Sequence, residues 1–223
     1  MARWIVRLLK IGLALVACVY LFWLGSLFTL RTFNPPTTGV QIQRRIEARL
    51  SGRRYRKRLK FVPLDRISPD LQHAVIAAED GHSYQHHGID WEQVKQVAEE
   101  SQATGRIRRG ASTITQQLVK NLFFTTCRDP VRKAFEYTLA PLADSILGKR
   151  RILELYLNEI EWGPGIYGAA SAADYYYHTT PAKLGREQSA RLAACIPSPR
   201  RRKPARMNQF SALIMERMRQ HGW

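Results

Sequence analysis

An uncharged apolar run at positions 11–30, IGLALVACVYLFWLGSLFTL, limits what this chain can fold into more than any other feature. A helix needs about 20 consecutive apolar residues to cross the hydrocarbon core of a bilayer. A cleaved signal peptide has a shorter apolar region followed by small residues, whereas this run carries aromatic side chains and continues into Arg31. We therefore expect a retained transmembrane helix over residues 11–30.

Basic residues set the expected orientation of this helix. Arg3, Arg7 and Lys10 precede the span, so the positive-inside tendency places residues 1–10 in the cytoplasm and the rest of the chain outside it. Basic residues after the span oppose this tendency, but long domains translocate largely regardless of their charge. The expected protein is single-pass, with its folded part outside the cytoplasm.

The chain is strongly basic, with 35 Lys and Arg against 18 Asp and Glu and a formal charge of +17. Such a charge suits nucleic acid, anionic lipid or a phosphorylated substrate. Because the anchor places the basic domain outside the cytoplasm, we expect no nucleic-acid partner.

Residues 31–60 are expected to form a linker and a basic membrane-proximal segment. Pro35 and Pro36 predict a short stiff spacer. The basic residues that follow are opposed only by Glu47, and they are Arg44, Arg45, Arg49, Arg53, Arg54, Arg56, Lys57, Arg58 and Lys60. They form either a solvated helix face or a surface held against anionic headgroups, where each basic residue contributes about 1 kcal/mol. Their place just beyond a membrane helix favours membrane lipids as a partner.

Residues 61–223 are predicted to form one mainly α domain, without a convincing strand pattern. One helix begins at Ser68 and Pro69 and ends near Glu79, and a second begins at a capping box of Thr113 and Gln116. A third begins at Asp129 and Pro130, with Phe135, Leu139, Leu142 and Ile146 as its buried stripe, and a fourth covers about 149–161. Three cysteines are too few for a disulfide scaffold, and we expect free thiols.

Glu79 is the candidate general base, because a carboxylate held against an apolar helix loses solvation and its pKa rises. The alternative is that Glu79 and Asp80 face solvent at a helix end. His82, His86 and His87 follow in a Gly-containing loop, where His82 and His86 have the spacing of two metal ligands. No third ligand of the zincin kind lies nearby, so we expect no metal site.

Two further groups of residues suggest a phosphorylated sugar substrate. Thr113, Gln117 and Lys120 share one polar helix face, next to a helix N-terminus that favours anions. Arg128, Arg132 and Lys133 then lead into Glu136. The Arg132 and Glu136 pair is either a helix-surface ion pair or part of a cationic clamp on a departing pyrophosphate.

Three ordered motifs resemble those of glycosyltransferase family 51, the transglycosylases of bacterial cell-wall synthesis. The first, E-D-x-x-F-x-x-H-x-G, is matched by Glu79, Asp80, His86 and Gly88, with Ser83 at the usual aromatic position and Tyr84 beside it. The second, G-x-S-T-I-T-Q-Q-x-x-K-N, is matched at 110–121. The third, R-K-x-x-E followed by K-x-x-I-L-E-x-Y-L-N, is matched at 132–136 and 149–158. The resemblance covers about residues 71–177.

The resemblance implies a lysozyme-like α domain in the bacterial inner membrane that polymerises lipid II and releases undecaprenyl pyrophosphate with inversion. Glu79 would be the base and Glu136 a second essential carboxylate. The expected substrate-binding residues are Asp80, His86, Ser112, Thr113, Gln117, Lys120, Asn121, Arg128, Arg132 and Lys133. No cofactor is expected to be required, although Mg²⁺ or Mn²⁺ assists some members of the family.

Two rival functions remain open at this stage. A glycan-cleaving muramidase or lytic transglycosylase would share one key glutamate but has no pyrophosphate to hold. A non-enzymatic scaffold would have no reason to keep Glu79, Gln117, Lys120 and Glu136 together. No Ser-x-x-Lys acylation motif follows the transferase segment, so we expect no transpeptidase activity and expect transpeptidases among the partners.

Overall fold

The computed structural model describes residues 2–105, 110–127 and 129–223, and the described part is mainly helical, as predicted. The helices are α1 (Ala2–Leu30), α2 (Gly39–Leu50), α3 (Pro69–Glu79), α4 (Trp91–Thr104), α5 (Ile114–Phe123), α6 (Pro130–Glu159), α7 (Ala169–Tyr177), α8 (Arg186–Ala193) and α9 (Asn208–Gln220). Three short strands, β1 (Arg58–Leu59), β2 (Glu161–Gly163) and β3 (Ile166–Tyr167), complete the fold. The core forms where α3 packs on α8 and α9, and where α5 packs on α6.

The N-terminal helix α1 is long and apolar enough to cross a membrane over residues 3–30. Its C-terminal part also packs on the domain, because Leu27 is fully buried and Trp23 contacts Phe124 and Phe135 with ring centroids 5.3 Å apart. The Tyr20 hydroxyl lies 2.6 Å from the Thr138 hydroxyl. Since a helix rises about 1.5 Å per residue, this contact begins about 15 Å before the end of α1. The domain therefore lies alongside the C-terminal part of the predicted span.

The basic segment packs directly against the rest of the domain. Gln41 of α2 donates a hydrogen bond of 2.9 Å to the buried Glu159 carboxylate, and Arg44 bonds Glu161 at 3.0 Å. β1 pairs in parallel with β3. Packing therefore continues across the boundary that we predicted at residue 60.

The domain also contains a small sheet that the sequence pattern did not indicate. Its order is β1-β3-β2, with β2 antiparallel to β3. Each strand has only two or three residues. Such strands are too short to show an alternating pattern in a sequence.

The predicted helix starts are confirmed, but one end and one stripe differ. Pro69 and Pro130 occupy first turns, and Thr113 and Gln116 form the predicted capping box. The third and fourth predicted helices are joined in α6 by a kink at Gly148, whose φ is +73°. α6 ends at Glu159, and Glu161 belongs to β2.

The predicted stripe of the third helix is only partly correct. Leu139 is fully buried and Phe135 and Ile146 are partly buried, but Leu142 is exposed. Ala143 and Leu147 are buried beside Leu139 instead. The three cysteines are free thiols, as expected.

The contact between α2 and α6 is expected to make stability depend on pH. Burial raises the pKa of Glu159 from 4.5 to about 7. An acid whose pKa is raised by folding stabilises the folded state less as pH rises from its unfolded to its folded pKa, here by up to about 3 kcal/mol. The Glu159→Gln variant has no titrating group at this position, so it does not lose this stability as pH rises. Its side-chain amide oxygen can still accept the hydrogen bond from Gln41.

The measurement is the free energy of unfolding of both proteins in detergent micelles between pH 4.5 and pH 8. We expect the advantage of Glu159→Gln over the wild type to grow with pH by about 1 to 3 kcal/mol. The exposed Glu100→Gln serves as the control. An advantage that stays constant over this range would contradict the assignment.

Candidate functional site

An open cleft of about 1150 Å³ lies between the end of α3, one face of α5, the start of α6 and the loop around residues 196–201. It brings together eight of the residues that the sequence singled out. These are Glu79, Ser112, Gln117, Lys120, Asn121, Arg132, Lys133 and Glu136. Arg128 lies outside the described residues.

Glu79 is the last residue of α3, and its carboxylate reaches the cleft from the apolar core. The Gln117 side-chain amide nitrogen donates a hydrogen bond of 2.7 Å to it. The oxygen of the same side-chain amide accepts one of 2.8 Å from the Tyr156 hydroxyl. Burial raises the pKa of Glu79, although the Gln117 hydrogen bond and the positive charge of Lys120 oppose the rise. Glu79 is partly buried and Asp80 is buried, so these contacts argue against the solvent-facing alternative, and the raised pKa of Glu79 suits a group that accepts a proton.

Three cations, Lys120, Arg132 and Lys133, line the same cleft as this carboxylate. Burial and the positive charge of Arg132 lower the pKa of Lys120, while the negative charge of Glu79 raises it. The pKa of Lys133 falls to about 8, because burial, Arg132 and Lys120 all disfavour its charged form. Because these cations act on one another and nearby carboxylates neutralise them only in part, they favour the binding of an anion.

Glu136 holds two of these cations in place. Its buried carboxylate accepts hydrogen bonds from Arg132 and, at 3.2 Å, from Lys133. Lys133 also donates to the Ser112 hydroxyl at 2.9 Å. Because the Arg132 and Glu136 side chains are only 14% and 3% exposed, they do not form the helix-surface ion pair of the simpler interpretation. The geometry supports the cationic clamp.

Asp80, His86 and Thr113 are not among the residues that line the cleft, and their substrate-binding roles stay predictions. The Asp80 carboxylate accepts a hydrogen bond of 2.9 Å from the Ile114 amide and lies 2.9 Å from a ring nitrogen of His86. The Thr113 hydroxyl donates to the Gly88 carbonyl at 2.6 Å. These buried contacts join the loop after α3 to the start of α5.

The loop after α3 also approaches α6 closely at Gly88. Its φ is +82°, and a Cβ at this position would lie 2.5 Å from the Ala140 carbonyl oxygen. Only glycine fits such a conformation and such a contact. Gly88 therefore fixes the distance between this loop and α6.

Two features of this loop stand out in the sequence, namely Ser83 at the usual aromatic position and the spacing of His82 and His86. Ser83 is buried, whereas Tyr84 is 64% exposed, so Tyr84 has not taken over the packing role of the usual aromatic residue. His82 lies 3.4 Å from Asp90, while His86 pairs with Asp80. The His82 and His86 rings therefore contact different carboxylates.

Sequence reasoning missed several residues of the site. Tyr156 is fully buried and orients Gln117, although only its place in the third motif singled it out. Arg44, Arg53 and Arg201 add positive charge to the cleft wall. They come from segments distant in sequence from the motifs, so their position required the fold.

Comparisons with known proteins agree with this geometry. A family model for transglycosylases matches residues 45–220. A biosynthetic peptidoglycan transglycosylase of Dechloromonas aromatica is 40% identical over 223 residues, covering 98% of this chain and 96% of the relative. Those of Bordetella pertussis and Laribacter hongkongensis are 42% and 40% identical, covering 92% and 90% of this chain and 88% of each relative. The chain belongs to the transglycosylase family.

Proposed function

We propose that this chain is a peptidoglycan glycosyltransferase that polymerises lipid II into β-1,4-linked glycan strands in cell-wall synthesis. One observation carries the proposal, which is the partly buried Glu79 carboxylate in the same cleft as the cations Lys120, Arg132 and Lys133. A proton acceptor and a pyrophosphate clamp are the two groups that this transfer needs. The names of the relatives support the same reaction.

Glu79 acts as the general base. It takes the proton of the 4-hydroxyl of the acceptor GlcNAc, and that oxygen bonds to the anomeric carbon of the MurNAc at the reducing end of the growing chain. The bond from that carbon to the pyrophosphate breaks, and its electron pair leaves with undecaprenyl pyrophosphate. Attack opposite the leaving group changes the configuration from α to β.

The cations stabilise the leaving group. Lys120, Arg132 and Lys133 face the charge that develops on the pyrophosphate, and fixed charges in a partly buried site stabilise such a transition state without reorganisation. Glu136 keeps Arg132 and Lys133 oriented. Because side chains supply this positive charge, we propose that no metal is required and that Mg²⁺ or Mn²⁺ acts only as a stimulant.

The cationic clamp also separates this function from glycan cleavage. A muramidase or lytic transglycosylase acts on finished glycan and has no pyrophosphate to neutralise. The scaffold alternative gives no reason for the hydrogen-bonded chain from Tyr156 through Gln117 to Glu79. Polymerisation of lipid II uses both the base and the cationic clamp. Cell-wall transpeptidases are the partners that we expect to cross-link its product.

The membrane anchors the enzyme beside its lipid-linked substrate, with α1 as a single span and the domain on the periplasmic side. α2 provides a second contact, since Ile42, Ile46 and Leu50 form an exposed stripe along one side of the helix. Exposed Arg45 and Arg49 lie next to the stripe. Exposed apolar residues flanked by arginines are typical of a helix lying in the interface of an anionic membrane.

Glu79→Gln tests the base directly. The amide is of similar size but accepts no proton, and general base catalysis contributes about 100-fold to 10,000-fold in rate. We expect kcat for polymer formation from labelled lipid II to fall by at least about 100-fold. The exposed Glu100→Gln is the matched control and keeps the wild-type rate. Near-wild-type polymerisation by a folded Glu79→Gln enzyme would exclude Glu79 as the base.

The position of α2 is tested by tryptophan fluorescence in anionic proteoliposomes. In Ile46→Trp the new indole is expected to lie among the acyl chains, so lipids brominated on those chains quench more of the emission than in the wild type. Lys183→Trp places the new indole at an exposed position in another part of the domain and is the control. Equal quenching in the two variants would show that α2 does not enter the interface.

A further inference from the structure

A second pocket of about 560 Å³ opens beside the cleft. Tyr175, Tyr176 and Tyr177 at the end of α7 contribute its aromatic wall, and we call it the tyrosine pocket. Pro164, Pro199 and Arg200 line both the tyrosine pocket and the cleft. The two cavities therefore adjoin each other at these three residues.

The tyrosine rings are not equivalent. The Tyr176 hydroxyl donates to the Trp162 carbonyl at 3.1 Å, and the Tyr177 hydroxyl donates to a backbone carbonyl at 3.5 Å. The Tyr175 side chain is 47% exposed, and the Arg58 guanidinium lies 5.4 Å from its ring centroid. Two rings therefore hold the wall in place while the third is available for contact with a ligand.

The charged residues of the lining are all basic, and its remaining residues besides the tyrosines are apolar. The basic residues are Arg191, Arg200, Arg202 and Lys203, and none of the described lining residues is acidic. Arg191 pairs with Glu187, Arg200 pairs with Glu47, and Arg202 donates to the Ala194 carbonyl. Lys203 is exposed, and its ammonium forms no ion pair with the described residues. Its ammonium is the cation with most freedom to bind a ligand carboxylate.

We propose that the tyrosine pocket binds the peptide branch of the lipid II unit whose sugars lie in the cleft. The inference rests on the proposed function. A peptide attached to the MurNAc extends away from the sugars, and the tyrosine pocket adjoins the cleft at Pro164, Pro199 and Arg200. Its side chains and free carboxylates match an aromatic wall with a basic rim, whereas an uncharged sugar chain would use only the rings.

Lys203→Gln tests the charge, and Lys203→Arg should restore it. The substrates are lipid II with its peptide and the same lipid-linked disaccharide without peptide. With Lys203→Gln we expect KM for the peptide-bearing substrate to rise about tenfold, as for the loss of one hydrogen bond to a charged group, while kcat stays unchanged. KM for the peptide-free substrate should not change. Lys183→Gln, an exposed lysine that does not line the pocket, is the matched control.

Tyr175→Ala tests the aromatic wall with the same two substrates, and it should raise KM for the peptide-bearing substrate alone. An equal rise for both substrates would assign the pocket to sugar and overturn the proposal. Unchanged KM values in both Lys203→Gln and Tyr175→Ala would overturn it as well. A folded wild-type enzyme that polymerises neither substrate would contradict the proposed function itself, so the two failures are distinguishable.

Discussion

The geometry of the site depends on the Asp80 carboxylate. One of its oxygens accepts the Ile114 amide at the start of α5, and the other contacts His86 in the loop that follows α3. A buried acceptor that loses such a partner costs about 1 to 3 kcal/mol, so the end of α3 and the start of α5 are held together strongly. Gln117 lies one turn along α5, and fixing the start of the helix places its amide 2.7 Å from Glu79. Lys120 is one further turn along the same helix, and the reactive groups of the cleft therefore depend on this junction.

The two carboxylates of the cleft differ because their partners differ. Glu136 accepts hydrogen bonds from two cations, which suits a carboxylate that orients them. Glu79 accepts one from a neutral amide, and burial raises its pKa. These different environments support the separate roles that we propose for the two carboxylates. The sequence predicted both residues in the site, and the fold adds the contacts on which the proposed roles of base and positioning residue rest.

Local signals predicted the helices that carry the site. Proline in the first turn marked the starts of α3 and α6, and the capping box of Thr113 and Gln116 marked α5. The motifs identified Glu79, Gln117 and Lys120, all of which line the cleft. Contacts between distant residues were not predictable, since the bond from Asp80 to Ile114 and that from Tyr156 to Gln117 join separate elements. For the same reason the buried contacts of Asp80, His86 and Thr113 could not be predicted from the sequence. The short strands and the packing of α2 also depend on contacts between segments that are distant in the sequence, so no single segment predicts them.

The central claim is that Glu79 accepts a proton from a partly buried position where Gln117 stabilises its charged form. The most direct test is the pH dependence of kcat/KM for polymerisation, which reports the pKa of the base in the free enzyme. The wild-type rate should fall on acidification at a pH above the ordinary glutamate value of 4.5. Gln117→Leu removes a hydrogen bond that lowers the pKa of Glu79, so this acidic limb should move to higher pH, while the exposed Gln102→Leu should leave it in place. An acidic limb that is unchanged in Gln117→Leu, or that lies at the ordinary glutamate value in the wild type, would contradict the account.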